Sequence, residues 1–170
     1  NILNAICQVY LTIIRGTPMM VQLMIMYFVV FSSSRHEVAV ATLAFGINSG
    51  AYVAEIVRGG IMSVDAGQME AGRSLGMNYT QTMRHIIIPQ AIKNILPALG
   101  NEMITLLKDT SLMTVIGAKD LTKAAQTVQA VTYQAFMPYI SIAVIYLVCV
   151  IALSKVLGLI ERRMRNSDRR

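Results

Sequence analysis

Residues 139–160 read YISIAVIYLVCVIALSKVLGLI, an apolar segment in which Lys155 is the only charged residue. About 20 consecutive apolar residues are enough for an α-helix to cross the hydrocarbon core of a bilayer. Lys155 lies toward the C-terminal end, where its long side chain can bring the ammonium group to the membrane surface. The segment therefore predicts a membrane-spanning helix and an all-α integral membrane fold.

The composition of the whole chain agrees with a membrane protein. Of its 170 residues, 55% are hydrophobic and 14% are charged, whereas about a quarter of the residues in a soluble domain are charged. The length predicts one domain over residues 1–170. The net charge of +6 includes the cluster RRMRNSDRR, residues 162–170, directly after the apolar segment. A basic cluster in that position is typical of a cytoplasmic membrane anchor, and no aromatic-interleaved basic surface indicates nucleic-acid binding.

Three further segments are apolar enough to predict spans, which gives a bundle of about four. Residues 38–54 carry no charge, and residues 18–31 are short and begin with Pro18, which suits a helix N-terminus. Residues 86–107 form the fourth predicted span. This last segment is apolar but includes four polar residues, Lys93, Asn94, Asn101 and Glu102.

The N-terminal stretch, residues 2–14, is amphipathic. Ile2, Ile6, Val9 and Ile13 fall on one helical face, and Asn4, Gln8 and Thr12 fall on another. Two interpretations fit this pattern: an interfacial helix lying on the membrane surface, or the end of a longer spanning helix.

Four spans divide the connecting loops between two sides of the membrane. One side carries Arg35, Lys108, Lys119 and Lys123, and the other side carries all remaining lysines and arginines. The positive-inside rule therefore predicts that residues 55–95 and the C-terminus lie in the cytoplasm. Residues 108–136 are then expected outside, as a partly embedded helix.

A polar segment from about residue 62 to residue 89 interrupts the apolar ones and carries two helix-start signals. Asp65 followed by Gln68 is a variant of the capping box, and Asn78 with Gln81 offers a second helix start. The segment therefore predicts a short cytoplasmic helix, a turn, and a second helix that leads into the next span.

The short helix ends where Gly76 permits a left-handed turn, and Pro89 is expected to break or kink the second helix. Met69, Gly72 and Leu75 share one face of the short helix, which is small and partly apolar. Such a face suits docking into a groove of another protein. The alternative is an ordinary loop that covers the membrane surface.

The segment resembles the EAA loop of ABC importer permeases. The matching residues are Glu70, Ala71, Gly72, Gly76, Ile86 or Ile87, Ile88 and Pro89. Gly72 replaces the second Ala of the pattern, and Ile88 replaces a Leu. Three other stretches resemble the polar amino-acid uptake branch of that family: RGTP at residues 15–18, NSGAYVAEIVRGGI at residues 48–61 and LLKDTSL at residues 106–112.

The resemblance implies the transmembrane subunit of an ATP-driven importer in the bacterial cytoplasmic membrane, which moves polar amino acids by alternating access. It also implies three partners: a cytoplasmic ATPase subunit, a second permease copy or homologue, and an extracytoplasmic substrate-binding protein. The EAA loop would form the coupling helix that contacts the ATPase, through Met69, Glu70, Ala71, Gly72, Leu75 and Gly76. Such permeases have five spans, so a first span is expected upstream of Asn1.

The sequence predicts no enzyme activity and no cofactor of its own. It contains no GxxxxGK[ST] phosphate-binding loop, so ATP is expected to be bound and hydrolysed by the partner subunit. Its two cysteines, Cys7 and Cys149, are far apart, and no metal-ligand spacing is present.

Two polar stripes within the apolar segments are candidates for the substrate pathway, because polar residues inside a membrane are costly and commonly line a path. Asn48, Tyr52, Glu55 and Gly59 form one stripe, and Asn94, Asn101, Thr105 and Lys108 form another, with Glu102 and Asp109 beside it. The predicted pathway residues are Asn48, Tyr52, Asn101, Glu102, Thr105, Lys108 and Asp109.

These residues suit an amino-acid substrate because Glu102 or Asp109 can meet its ammonium group and Lys108 its carboxylate. The alternative is that the polar residues hold helices together by hydrogen bonds, and for Glu55 and Arg58 a structural role is the preferred interpretation. Two other functions also remain open: a self-contained channel or secondary transporter, and a membrane scaffold without transport activity. Dependence of transport on ATP would separate the importer from the channel.

Overall fold

The computed structural model of the chain describes residues 2–166, and this range contains helices and no strands. The all-α prediction is confirmed. Arg169 and Arg170 of the basic cluster lie outside the described residues. The α-helices are α1 (Ile2–Gly16), α2 (Met19–Ile25), α3 (Glu37–Met62), α4 (Ala66–Ser74), α5 (Tyr79–Thr82), α6 (Ile88–Asp109), α7 (Leu121–Thr132) and α8 (Phe136–Asn166). Two π-helical segments, Met26–Val30 and Met83–Ile87, and a 3₁₀ helix, Thr110–Ile116, complete the helical structure of these residues.

Within the described range, two helices are long and apolar enough to cross a membrane, Glu37–Met62 and Phe136–Arg163. A third span results if α1 and Met19–Val30 are counted together, although they are bent by 106°. Helix α6 has 22 residues, a length of about 33 Å at 1.5 Å per residue. It is long enough to span, but its polar and charged residues make it less apolar than the other two helices.

The predicted span over residues 18–31 differs from the structure in form. It consists of the seven-residue α2 followed by the π-helical segment, and it bends sharply away from α1. Pro18 is the N-cap of α2, with extended backbone at φ −63° and ψ 136°. Because proline has no N–H and disfavours helical backbone at the preceding residue, α1 ends at this point.

One compact unit consists of the chain up to Tyr52 together with Met103–Leu153. Its core centres on Leu23, whose side chain is fully buried, and Phe45. Ala41 and Ala44 present small side chains to this core from α3, and Ile116 and Ala118 complete it. The 3₁₀ helix packs against α2. Both of these short helices therefore lie on the face of α3 that carries Ala41 and Ala44.

Helix α1 belongs to this unit but contributes no buried residue. Its apolar face, which includes Ile2, Ile6 and Ile13, is exposed. The Tyr10 hydroxyl donates a hydrogen bond of 2.6 Å to the carbonyl of Ile47, which ties α1 to α3. The amphipathic helix predicted from the sequence is therefore present, with its apolar side directed away from the protein core.

The other compact unit consists of Val53–Glu102 and the chain from Ser154 onward. Two glycines allow close helix contacts in it. A Cβ on Gly60 would overlap the side chain of Ile95, and a Cβ on Gly100 would lie 3.2 Å from Cδ1 of Leu157. The end of α3 and the end of α8 therefore both pack closely on α6. This unit also contains α4 and α5, which carry the candidate coupling residues.

Candidate functional site

The start of α4 is fixed by Asp65, as the sequence predicts. Asp65 is the N-cap, and its Oδ1 accepts a hydrogen bond of 2.6 Å from the backbone N–H of Gly67. The side chain of Gln68 instead accepts a hydrogen bond of 3.3 Å from Nε2 of Gln90 on α6. The first residue of the predicted capping box is confirmed, and its second residue contacts α6.

The end of α4 also agrees with the prediction. Gly76 has a φ of +79°, the left-handed conformation that glycine adopts without steric cost. The N–H of Gly76 donates to the carbonyl of Arg73 at 2.9 Å, and the N–H of Met77 donates to the carbonyl of Gly72 at 3.1 Å. These bonds satisfy carbonyls that a helix end leaves without partners.

The second predicted helix start, at Asn78, is confirmed, and the structure shows a complete capping box there. The N–H of Gln81 donates to Oδ1 of Asn78 at 2.9 Å, and the N–H of Asn78 donates to Oε1 of Gln81 at 2.9 Å. Helix α4 is therefore defined at both ends, and the next helix, α5, begins at Tyr79.

Pro89 does not break the helix that follows. The chain continues from α5 through the π-helical segment Met83–Ile87 into α6, with Pro89 at the second position of α6. A proline ring clashes with the carbonyl four residues earlier in an α-helix, and here that residue is His85, inside the π-helical segment. The wider π turn gives a physical reason why the helix continues past Pro89.

The candidate coupling residues, in α4 and directly after it, differ in their exposure. Glu70, Ala71, Leu75 and Gly76 are exposed, Met69 is half-buried and Gly72 is buried. Leu75 is 78% exposed. The prediction that Gly72 shares an outward docking face with Leu75 is therefore wrong, since Gly72 faces the protein's own chain.

Gly72 packs against Thr82, the last residue of α5. A Cβ at position 72 would lie 2.5 Å from Cγ2 and 2.7 Å from Oγ1 of Thr82. Thr82 is 0% exposed, and its hydroxyl donates to the carbonyl of Asn78 at 3.0 Å. Sequence reasoning missed Thr82, because a threonine in the polar stretch YTQT gives no signal of burial.

In the candidate substrate pathway, Asn48 bonds to another helix. It is 9% exposed, and its Nδ2 donates to Oε1 of Gln22 on α2 at 2.9 Å. The Nε2 of Gln22 in turn donates to the carbonyl of Ile14 at 2.6 Å and to Oγ1 of Thr17 at 2.7 Å. The α-helical donor to Ile14 would be the N–H of residue 18, which proline lacks. Gln22 supplies that donor and links the α1–α2 bend to α3.

Gln22 was not among the predicted site residues, although a glutamine within PMMVQLMIM is a visible polar interruption. The bond to Gln22 gives Asn48 the structural role that the sequence left as an alternative. Tyr52, one turn further along α3, lies beneath the guanidinium of Arg15 at 5.5 Å from the ring centroid, within the range of a cation–π contact.

The structural interpretation of Glu55 and Arg58 is supported, because these side chains form an ion pair. On α6, Asn94 donates to Oγ of Ser63 at 2.8 Å, which joins it to the end of α3. One member of the predicted second stripe is thus in a contact between helices.

The remaining pathway candidates lie further along α6. Asn101, Thr105 and Lys108 are exposed, and Glu102 and Asp109 are half-buried. Asp109 is the N-cap of the 3₁₀ helix without a side-chain capping bond. The exposed residues recur at spacings of four and three, so they fall on one face of the helix.

The chain belongs to the family described as "Binding-protein-dependent transport system inner membrane component", whose model matches residues 1–166. It is 41% identical to the glutamine transport system permease protein GlnP of Escherichia coli, over 96% of this chain and 77% of that protein. It is 40% identical to the arginine transport system permease protein ArtQ of Bacillus subtilis, over 96% of this chain and 76% of that protein.

Solved structures agree with this family. A crystal structure of an amino acid ABC transporter with histidines contains a similar chain, with 52% identity, a TM-score of 0.85, and coverage of 92% of this chain and 74% of that one. The MetNI methionine ABC transporter in an inward-facing conformation has a similar fold at 20% identity, with a TM-score of 0.77 and coverage of 92% and 73%.

The family defines the class of protein. The chain is a permease subunit of an ABC importer and an inner-membrane protein. Permease subunits of this family are not themselves ATPases, and the family acts with a cytoplasmic ATPase and a substrate-binding protein. The resemblance found in the sequence is confirmed, and neither the self-contained channel nor the scaffold is favoured.

Proposed function

We propose that this permease imports polar amino acids and that α4 is its contact with the ATPase subunit. The observation that carries the coupling role is the environment of α4, a short helix capped at both ends whose C-cap residue, Leu75, is 78% exposed. A short helix that carries an apolar side chain outside the protein's own core suits docking into a groove of another protein. Glu70 and Ala71 are also exposed, and Met69 is half-buried.

The substrate class rests on the relatives and on α6. Relatives at 41% and 40% identity are named for glutamine and arginine transport. On α6, Asn101, Thr105 and Lys108 expose polar groups along one face. Polar groups facing lipid are costly, so this face borders a pathway or another subunit. An amino acid would place its carboxylate near Lys108 and its ammonium group near Asp109 or Glu102.

The proposed assembly contains this chain, an ATPase subunit and a second permease. ATP is bound and hydrolysed by the ATPase subunit, since permease subunits of this family are not themselves ATPases. A second permease, identical or homologous, pairs with this one, and the coupling loop and the C-terminus face the cytoplasm according to the distribution of basic residues. We expect this chain to bind no cofactor and to supply no catalytic residue.

The coupling contact is tested by Leu75→Ser, with Val131→Ser as a matched control because Val131 is 76% exposed on α7. The assay is retention of the ATPase subunit during purification of the full-length permease. Loss of the ATPase with Leu75→Ser alone would support the proposal. Equal retention in both variants would contradict the contact at α4.

The substrate class is tested by uptake into vesicles that contain the complete importer and internal ATP. Labelled glutamine and arginine are compared with labelled leucine, which has the same backbone charges and an apolar side chain. ATP-dependent uptake of a polar amino acid, with little uptake of leucine, is the expected result. Uptake of leucine alone, or uptake without ATP, would contradict the proposal.

A further inference from the structure

The geometry points to Thr82 as a positioning residue that fixes α4 to the helix continuing into α6. In this way a displacement of α4 is passed to α6 without bending at Gly76. This inference rests on the proposed coupling role of α4. It concerns an internal contact of the permease, separate from the surface that meets the ATPase.

Without a further contact, the turn that connects α4 to α5 would be flexible. Gly76 adopts the left-handed conformation, and glycine is the residue with the greatest backbone freedom. If only this turn joined α4 to α5, a push on α4 could rotate it about Gly76 before α5 moved. A contact that crosses the turn removes this freedom.

Gly72 and Thr82 form such a contact, because they lie on opposite sides of the turn. The buried Gly72 leaves no room for even one carbon beside Thr82, as the distances of 2.5 and 2.7 Å from its built Cβ indicate. Thr82 is itself held, since it is fully buried and its hydroxyl donates to the carbonyl of Asn78. Packing this close transmits displacement, because atoms at contact distance resist compression.

The path onward from Thr82 is helical throughout. Thr82 directly precedes the π-helical segment Met83–Ile87, which joins α6 at Ile88. The first part of α6 is tied in turn to the end of α3, through the bond between Asn94 and Ser63 and the close approach of Ile95 to Gly60. A movement of α4 therefore reaches α6 and the end of α3 through packed groups.

The test is a set of paired substitutions whose expected order comes from the distances. Gly72→Ala inserts a Cβ that clashes with both branches of Thr82. We expect about a tenfold loss of substrate delivered per ATP hydrolysed, because the clash moves α4 out of its position against α5. Combining Gly72→Ala with Thr82→Ala removes both clashing atoms and leaves Cβ of Thr82 as the nearest, at 3.2 Å. This double variant should recover most of the coupling.

Two further pairs control for nonspecific effects. Gly72→Ala with Thr82→Ser retains the Oγ at 2.7 Å and should recover less, and Gly72→Ala with Thr82→Val retains both branches and should recover nothing. Each variant is first checked for membrane insertion and for retention of the ATPase subunit. Recovery of coupling that decreases from Thr82→Ala through Thr82→Ser to Thr82→Val would support the inference. Equal coupling in all three double variants would overturn it.

The experiment also separates this inference from the proposal on which it rests. If Leu75→Ser leaves ATPase retention unchanged, the docking role of α4 fails. If Leu75→Ser releases the ATPase but the paired variants show no ordered recovery, only the internal contact is refuted. Trypsin cleavage after Arg73, an exposed residue of α4, gives a measurement that does not need the ATPase. Gly72→Ala should make this cleavage faster, and combining it with Thr82→Ala should make it slower again.

Discussion

The bond between Gln22 and Asn48 gives a quantitative prediction about the membrane part of the protein. Gln22→Met leaves the nearly buried amide of Asn48 without this acceptor and removes the donor to the Ile14 carbonyl. An unsatisfied buried polar group costs about 1–3 kcal/mol, whereas hydrogen bonds between membrane helices contribute about 0.6 kcal/mol on average and about 1.7 kcal/mol at most. We therefore expect each single variant, Gln22→Met and Asn48→Leu, to destabilise the protein by about 1–2 kcal/mol.

The double variant distinguishes a bond from two independent effects. If Gln22 and Asn48 act as a pair, Gln22→Met with Asn48→Leu should cost less than the sum of the single changes, by about 1 kcal/mol. The measurement is thermal unfolding of the purified importer in detergent. Thr42→Val on the same helix is the control, because the Thr42 hydroxyl donates only within α3, to the carbonyl of Val38 at 2.8 Å. Its effect should stay within about 0.5 kcal/mol.

Two results would refute this reasoning. Strictly additive losses would show that the two residues do not depend on each other. An Asn48→Leu variant of unchanged stability that needs a higher substrate concentration for uptake would return Asn48 to the substrate pathway, where the sequence first placed it.

Three other predictions concern the turn, the topology and the pathway. Gly76→Ala should destabilise the end of α4 by about 1 kcal/mol, because its φ of +79° strains any residue with a Cβ, and faster proteolysis of the loop should report it; unchanged proteolysis would contradict the strain. In a background without native cysteines, Asn78→Cys should resist an impermeant thiol reagent applied outside intact cells, whereas Gln126→Cys should be labelled; efficient labelling at position 78 would reverse the topology. Lys108→Gln should raise the substrate concentration needed for half-maximal uptake by about tenfold, as loss of one charged contact implies, and Glu102→Gln should lower uptake at normal expression; wild-type uptake in both variants would assign these residues to helix packing.

The sequence predicted the local features of the coupling segment well. The caps at Asp65 and Asn78 and the left-handed Gly76 each depend on residues within a few positions of one another, so their chemistry is visible in the sequence. The long apolar helices α3 and α8 are similarly clear, because length and lack of charge decide their class.

Features that depend on distant residues were not predicted. The burial of Gly72 depends on Thr82, and the role of Asn48 depends on Gln22, a residue 26 positions away. The bend between α1 and α2 and the passage of α6 past Pro89 also depend on how neighbouring turns adjust. Periodicity places residues on a face of a helix but does not say which face meets another helix.

The contact between Gly72 and Thr82 also limits how this chain can have changed over time. The family pattern that it resembles has alanine where this chain has Gly72, and an alanine there would meet Thr82. A lineage that shortened residue 82 before it enlarged residue 72 would avoid the overpacked intermediate that the opposite order passes through. Among relatives, the sizes of the side chains at these two positions should therefore vary together, with alanine or a larger residue at the first accompanied by a smaller one at the second.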